Sequence, residues 1–121
     1  MSDVTQLIDR YIAMWNETDP ERRRDLIART WTEDATYVDP VVQGDGPGAI
    51  DAMVGAVQQR FPGHRFRRTS AVDCHHDRVR FAWELASDRG QPVVGGVDFG
   101  ILADGRLQAV TGFFDSAPVA S

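Results

Sequence analysis

The sequence predicts a single α+β domain over residues 1–121, in which helices come first and a mostly antiparallel sheet follows. Apolar residues recur at helical spacing in the first half, whereas from about residue 64 they alternate along short segments that turn-forming residues separate. The chain has room for one hydrophobic core. Because so small a sheet must curve strongly to enclose a core, we expect a cone that encloses a pocket and is closed by helices.

The first two helices are predicted from apolar spacing and from capping residues. The apolar positions of the first segment fall on one helical face: Val4, Leu7, Ile8, Tyr11, Ile12 and Trp15. They predict a helix over residues 3–17, with Ser2 available to cap it. Asp19-Pro20 has the form of an N-cap followed by a proline at the first helical position, and it predicts a second helix that ends near Trp31.

The rest of the chain is predicted to contain one more helix and five β segments. A short strand over 35–39 leads into a Gly/Pro-rich loop over 42–46, and Pro47 begins the third helix. That helix has one apolar side: Ile50, Met53, Val54, Val57 and Phe61. The later β segments cover residues 64–72, 78–86, 93–102 and 106–115. Asp104-Gly105, between the last two, is a strong hairpin signal.

Charge and composition exclude several kinds of function. The formal net charge is -5 and the pI is near 5.0, so nucleic acid and anionic membranes would be repelled. Cys74 is the only cysteine, and the first residues lack a basic segment followed by an apolar run, so we expect a cytoplasmic protein. Motifs of nucleotide-binding proteins, serine hydrolases and zinc peptidases are absent from the sequence, and we expect neither a metal nor a cofactor.

Asp39 has two interpretations. It ends a β segment immediately before Pro40, and it follows Tyr37 at the spacing that places both on one face of a strand. It is therefore a carboxylate that faces the pocket, or it simply marks a strand end and turn.

Asp98 lies within the apolar run over 93–102, where a buried carboxylate needs a partner or a raised pKa. Gly96 and Gly100 lie on the same face of the strand and would leave room for a ligand beside the acid. Glycines in a strand also mark bends and bulges, so this interpretation remains open.

Tyr11 lies on the apolar face of the first helix, where a buried hydroxyl must find a hydrogen-bond partner. Either that partner is a ligand, or Tyr11 is a core tyrosine that is bonded to the backbone. Arg78 and Arg80 share a strand face with Glu84, opposite the apolar stripe of the same segment, which indicates a side that faces solvent or a second subunit.

These segments together resemble the nuclear-transport-factor-2-like superfamily, which includes the SnoaL-like polyketide cyclases and the steroid delta-isomerases. The stretch WTEDATYVDP, residues 31–40, resembles the isomerases' segment that ends in the catalytic Asp-Pro. The triplet Arg10-Tyr11-Ile12 resembles the segment of the oxyanion-hole tyrosine. Val97-Asp98, followed by a turn at 104–106, resembles the segment of the protonated aspartic acid.

The resemblance implies that Asp39 is a general base and that Tyr11 and Asp98 are oxyanion donors. The reaction would be an isomerisation or a cyclisation of a small apolar carbonyl compound, and it would need no metal or cofactor. Two alternatives are an epoxide hydrolase of the limonene-epoxide-hydrolase type, with Asp98, Asp115 and Arg80 as its acids and arginine, and a non-catalytic domain that binds a ligand or a protein partner.

The sequence also predicts which residues line the pocket and how the outer side of the sheet is used. We expect apolar and small residues to line the pocket: Trp15, Tyr37, Val54, Phe61, Phe66, Gly96 and Gly100. The outward residues of the strands mix apolar and charged types, and the open face of a small curved sheet often pairs with a second copy. We therefore expect a homodimer that binds a small apolar molecule.

Overall fold

The computed structural model describes residues 3–116, which form three helices and a seven-stranded sheet. In chain order these elements are α1 (Asp3–Asn16), α2 (Pro20–Thr30), β1 (Trp31–Val38), β2 (Gln43–Asp45), α3 (Pro47–Arg60), β3 (Arg65–Arg68), β4 (Asp73–His75), β5 (Arg78–Ala86), β6 (Pro92–Ala103) and β7 (Arg106–Ser116). The sheet is curved and does not close into a barrel. The α+β class and the helical cover of a curved sheet are therefore confirmed.

The helices begin and end close to the predicted positions because their local signals are strong. Asp19 caps α2, since its Oδ2 accepts the Arg22 N–H at 2.9 Å, and Pro20 is the first helical residue. Trp31 ends the helix in extended backbone. The predicted cap at Ser2 lies outside the described residues.

The strand order is β2-β1-β7-β6-β5-β3, and β4 also pairs with β5. Neighbouring strands are antiparallel except β1 and β7, which are parallel. A strand from the helical half of the chain thus joins the sheet beside the last strand. β1 begins at Trp31, four residues earlier than predicted, and pairs there with Leu107. β2 was not predicted, because a glycine forms its centre in a loop-like sequence.

The strand predicted over residues 64–72 is shorter, β3 over Arg65–Arg68, and a separate short strand that was not predicted, β4, follows it over Asp73–His75. Both pair with β5, β3 with residues 83–86 and β4 with residues 78–80. Between them the Ser70 hydroxyl accepts the backbone N–H of Ala82 at 2.8 Å, so a side chain replaces the ladder where the strand breaks.

The core lies between the helices and the concave face of the sheet. The largest fully buried side chains are Trp31, Tyr11, Phe81, Ile8 and Met14. On β5, alternate residues from Val79 to Leu85 point inward, as predicted, and Arg78 and Arg80 point outward. None of the helices in the described part of the chain has the length and apolar character required to cross a membrane.

Candidate active site

A cavity of about 540 Å³ lies between α1, α3 and the concave side of the sheet. Apolar and aromatic side chains form most of its wall, among them Trp15, Val57, Phe61, Phe66, Leu85 and Phe114. Six polar side chains also line it: Tyr11, Tyr37, Asp39, Arg60, Trp83 and Asp98. An apolar cavity with a few convergent polar groups is the usual form of a small-molecule site.

Asp98 lies at the closed end of this cavity and is only 3% exposed. Its Oδ2 accepts the Tyr11 hydroxyl at 2.7 Å, and its Oδ1 accepts the Trp83 Nε1–H at 2.9 Å. The inward side of β6 presents the carboxyl to α1, whose buried face carries Tyr11. The partner of the buried tyrosine is thus a side chain and not the backbone.

Burial governs the protonation of both groups. Loss of hydration raises the pKa of Asp98 to about 7, against the hydrogen bonds from Tyr11 and Trp83, which favour the ionised form; the charge of Asp39 raises the pKa further. Burial and the neighbouring Asp98 also hold the pKa of Tyr11 well above its ordinary value. Tyr11 is therefore a neutral donor, and Asp98 keeps its proton far above the pH at which a solvated aspartate loses it.

Asp39 directly follows the last residue of β1 and is half-buried. Its Oδ1 accepts the backbone N–H groups of Val41 at 2.8 Å and Val42 at 2.9 Å, and its Oδ2 accepts the Tyr37 hydroxyl at 2.7 Å. Both interpretations of the sequence therefore hold, because the residue forms a turn and also faces the cavity. Each carboxylate oxygen accepts about two hydrogen bonds, so Oδ2 retains acceptor capacity.

Gly112 on β7 separates the two acids. It pairs with Asp98, and a Cβ atom placed on it would lie 2.9 Å from Asp98 Oδ1, 3.1 Å from Asp39 Cβ and 3.3 Å from the Tyr37 hydroxyl oxygen. Both acidic side chains therefore flank one point that only a glycine leaves open. Gly112 was not predicted from the sequence. Trp83 was placed only in the apolar stripe of its strand, although a buried indole N–H requires a partner.

Four of the seven predicted lining residues face the cavity, namely Trp15, Tyr37, Phe61 and Phe66. The structure places Val54, Gly96 and Gly100 in the packed core instead. Val54 is fully buried on α3. A Cβ on Gly96 would lie 2.9 Å from the Trp83 ring, and one on Gly100 would lie 2.8 Å from Val79 Cγ1, so protein side chains fill the room expected for a ligand.

The remaining candidates lie away from the two acids. Arg80 is exposed and donates to Asp73 at 2.7 Å, and Asp115 is also exposed. A second cavity, of about 560 Å³, lies behind the wall formed by Phe61 and Phe66. Within the described residues, no group of three or more His, Cys, Asp or Glu side chains is arranged to hold a metal ion.

The charged side chain of the second cavity has protein partners. Arg23 donates from Nε to Asp51 at 2.6 Å and from Nη1 to the Glu17 carbonyl at 3.1 Å and to Gln58 Oε1 at 2.9 Å. These bonds join α2 to α3 and to the segment before α2, which is a structural role.

The curved sheet, its helical cover and the apolar cavity place the molecule in the nuclear-transport-factor-2-like class of folds. The chain belongs to the SnoaL-like family, because the family model, described as a SnoaL-like domain, matches residues 8–110. The resemblance seen in the sequence is confirmed at this level. Comparison with curated proteins gives no match.

Solved structures agree with this assignment. A SnoaL-like family protein from Agrobacterium tumefaciens, provisionally assigned as an isomerase, is 43% identical; the match covers 96% of this chain and 100% of that chain with a TM-score of 0.91. A provisionally assigned ketosteroid isomerase from Kribbella flavida is 19% identical, over 98% of this chain and 82% of that chain, with a TM-score of 0.70. A provisionally assigned polyketide cyclase from Sinorhizobium meliloti is 15% identical, over 93% and 99%, with a TM-score of 0.71. The last two are similar in fold alone.

Proposed function

We propose that this protein is a cofactor-independent acid/base enzyme that acts on a small apolar carbonyl compound, as an isomerase or a polyketide-cyclase-like enzyme. One observation carries the proposal: Asp98, a buried carboxyl group whose pKa burial raises to about 7, shares a cavity with a second carboxyl group, Asp39, and both flank the same point beside Gly112. Two acids in environments that differ this much are suited to opposite roles in proton transfer.

In the proposed reaction Asp39 takes a proton from the carbon next to the carbonyl group, and Tyr11 and neutral Asp98 stabilise the enolate oxygen. The contact between Tyr11 and Asp98 supports this pairing, because the hydroxyl protons of both groups can turn to a ligand oxygen that enters the cavity. Return of the proton at another carbon gives an isomer. Attack of the carbanion on a second carbonyl group gives a cyclised product.

A phenol that mimics the enolate tests the proposal directly. We expect 2-naphthol to bind in the cavity and to give a strongly deshielded proton resonance in NMR spectra, since its oxygen would share short hydrogen bonds with Tyr11 and Asp98. Tyr11→Phe should weaken this binding by about tenfold, because a charge-assisted hydrogen bond is lost. A wild-type protein that does not bind the phenol would instead favour a non-catalytic domain for a different ligand.

The epoxide-hydrolase alternative has less support. It requires an arginine between two acids, whereas Arg80 and Asp115 are exposed and neither faces the cavity.

We propose that the expected homodimer forms through the outer face of the sheet. Phe99 is 43% exposed and Phe113 55%, and their rings meet edge to face at 5.8 Å on adjacent strands, with Val38 on the same side. Exposed apolar residues that lie together are typical of an interaction surface, and in a two-fold dimer the same patch on each copy would cover the other.

Phe113→Lys should therefore convert the protein to a monomer in sedimentation equilibrium, because two lysines would meet across the two-fold axis. Gln91→Lys, in the exposed connection between β5 and β6, makes the same change of one unit in charge and should leave the dimer intact. A monomeric wild-type protein at micromolar concentration would contradict the proposal.

A further inference from the structure

Arg60 is the last residue of α3, and it lines the same cavity as the two acids. The charged residues of the cavity differ in exposure. Asp98 is 3% exposed at the closed end, Asp39 is half-buried, and Arg60 is exposed, which places the guanidinium at the mouth. Among the cavity-lining residues in the described part of the chain, Arg60 alone is cationic.

The guanidinium of Arg60 has no partner within the described residues, although acidic residues outnumber basic ones by 18 to 13 in this chain. Six other arginines form ion pairs there: Arg23, Arg29, Arg67, Arg68, Arg78 and Arg80. The carbonyl groups at the end of a helix favour a cation in the last turn. At Arg60 this effect does not supply a hydrogen-bond acceptor for any of the five N–H donors of the guanidinium.

We propose that Arg60 binds an anionic group of the ligand, and that the ligand is an apolar carbonyl compound with a carboxylate at its far end. The inference rests on the proposed function, because the acids at the closed end orient the carbonyl inward. The other end of the molecule then reaches the mouth, where a planar carboxylate matches the two parallel N–H donors of a guanidinium. The apolar wall between the two ends would hold the hydrocarbon body.

The test compares 6-hydroxy-2-naphthoate with its methyl ester by calorimetry. Both carry the phenol for the closed end, and they differ in charge only at the other end. We expect the acid to bind wild-type protein about tenfold more tightly than the ester. Arg60→Gln should reduce this ratio to about one. Arg65→Gln removes the same charge from an exposed arginine of β3 that does not line the cavity, and it should keep the preference.

The outcomes separate this inference from the proposed function. Equal affinities of acid and ester for wild-type protein, or a preference that survives Arg60→Gln, would overturn the role of Arg60 while the binding of both phenols still supported the enolate site. If neither compound binds and 2-naphthol does not bind either, both proposals fail together.

Discussion

Replacing Asp98 with asparagine is expected to make the protein more stable than the wild type above pH 7. In the folded state burial raises the pKa of Asp98 to about 7, whereas in the unfolded chain it returns to about 4. Below pH 4 the group is protonated in both the folded and the unfolded state, so its ionisation does not change the free energy of unfolding. Between pH 4 and 7 unfolding releases a proton, and the free energy of unfolding therefore falls as the pH rises. Above pH 7 the group is ionised in both states, and the free energy of unfolding decreases no further on its account.

The expected loss is on the order of 4 kcal/mol, because each pKa unit corresponds to about 1.4 kcal/mol. Asparagine is neutral at every pH and keeps the two contacts of the carboxyl group. Its Oδ1 can accept the Trp83 N–H, and its Nδ2–H can donate to the Tyr11 oxygen. The variant therefore removes the pH dependence, and the Tyr11 O–H, which loses its acceptor, lies beside the cavity.

Urea unfolding at pH 4.5, 6.0 and 7.5 measures this effect. The free energy of unfolding of Asp98→Asn minus that of the wild type should increase steadily over the three pH values. Gln43→Asn, at an exposed position of β2, changes no ionisable group and should give a difference that does not change with pH. A flat difference for Asp98→Asn as well would mean that the folded protein ionises Asp98 normally, and the group would then be no proton donor at neutral pH.

Local signals made the helices and the main strands predictable from the sequence. An N-cap followed by proline, an Asp-Gly turn and alternating apolar residues each act within a few neighbours. Asp104 and Gly105 both have positive φ, at 54° and 75°, as that hairpin requires. The burial of Asp98 also followed locally, from the apolar run around it. The hydrogen-bond partner of Asp98 could not be predicted from neighbouring residues, because Tyr11 is 87 residues away. Only the family resemblance placed the two residues in one site.

Gly112 could not be found by counting along the hairpin. A regular ladder from the pair Ala103 and Arg106 would place Thr111 opposite Asp98. An irregularity between Ile101 and Leu102 shifts the register by one residue, so that Gly112 lies there instead. For Gly96 and Gly100 the strand face was predicted correctly. The space beside them was expected to hold a ligand, but packed side chains occupy it, which the sequence does not reveal.

Asp39→Asn is expected to abolish proton transfer while leaving the enolate mimic bound. Removal of a positioned general base typically costs 10²- to 10⁴-fold in rate. The asparagine Oδ1 can still accept the N–H groups of Val41 and Val42, and its Nδ2–H can donate to the Tyr37 oxygen, so the turn should persist. Binding of 2-naphthol depends on Tyr11 and Asp98 and should change by less than about threefold, or about 0.7 kcal/mol.

Deuterium uptake at the carbon next to the carbonyl of a cyclic ketone such as 2-tetralone, followed by NMR in D₂O, measures this step without knowledge of the natural substrate. Wild-type protein and Asp45→Asn should accelerate the uptake equally, and Asp39→Asn should approach the uncatalysed rate. If Asp39→Asn accelerated the uptake as much as the wild type does, Asp39 would not be the general base. If the wild type binds the phenol but does not accelerate exchange in any ketone of suitable size, the cavity holds a ligand without converting it, and the two acids then serve recognition alone.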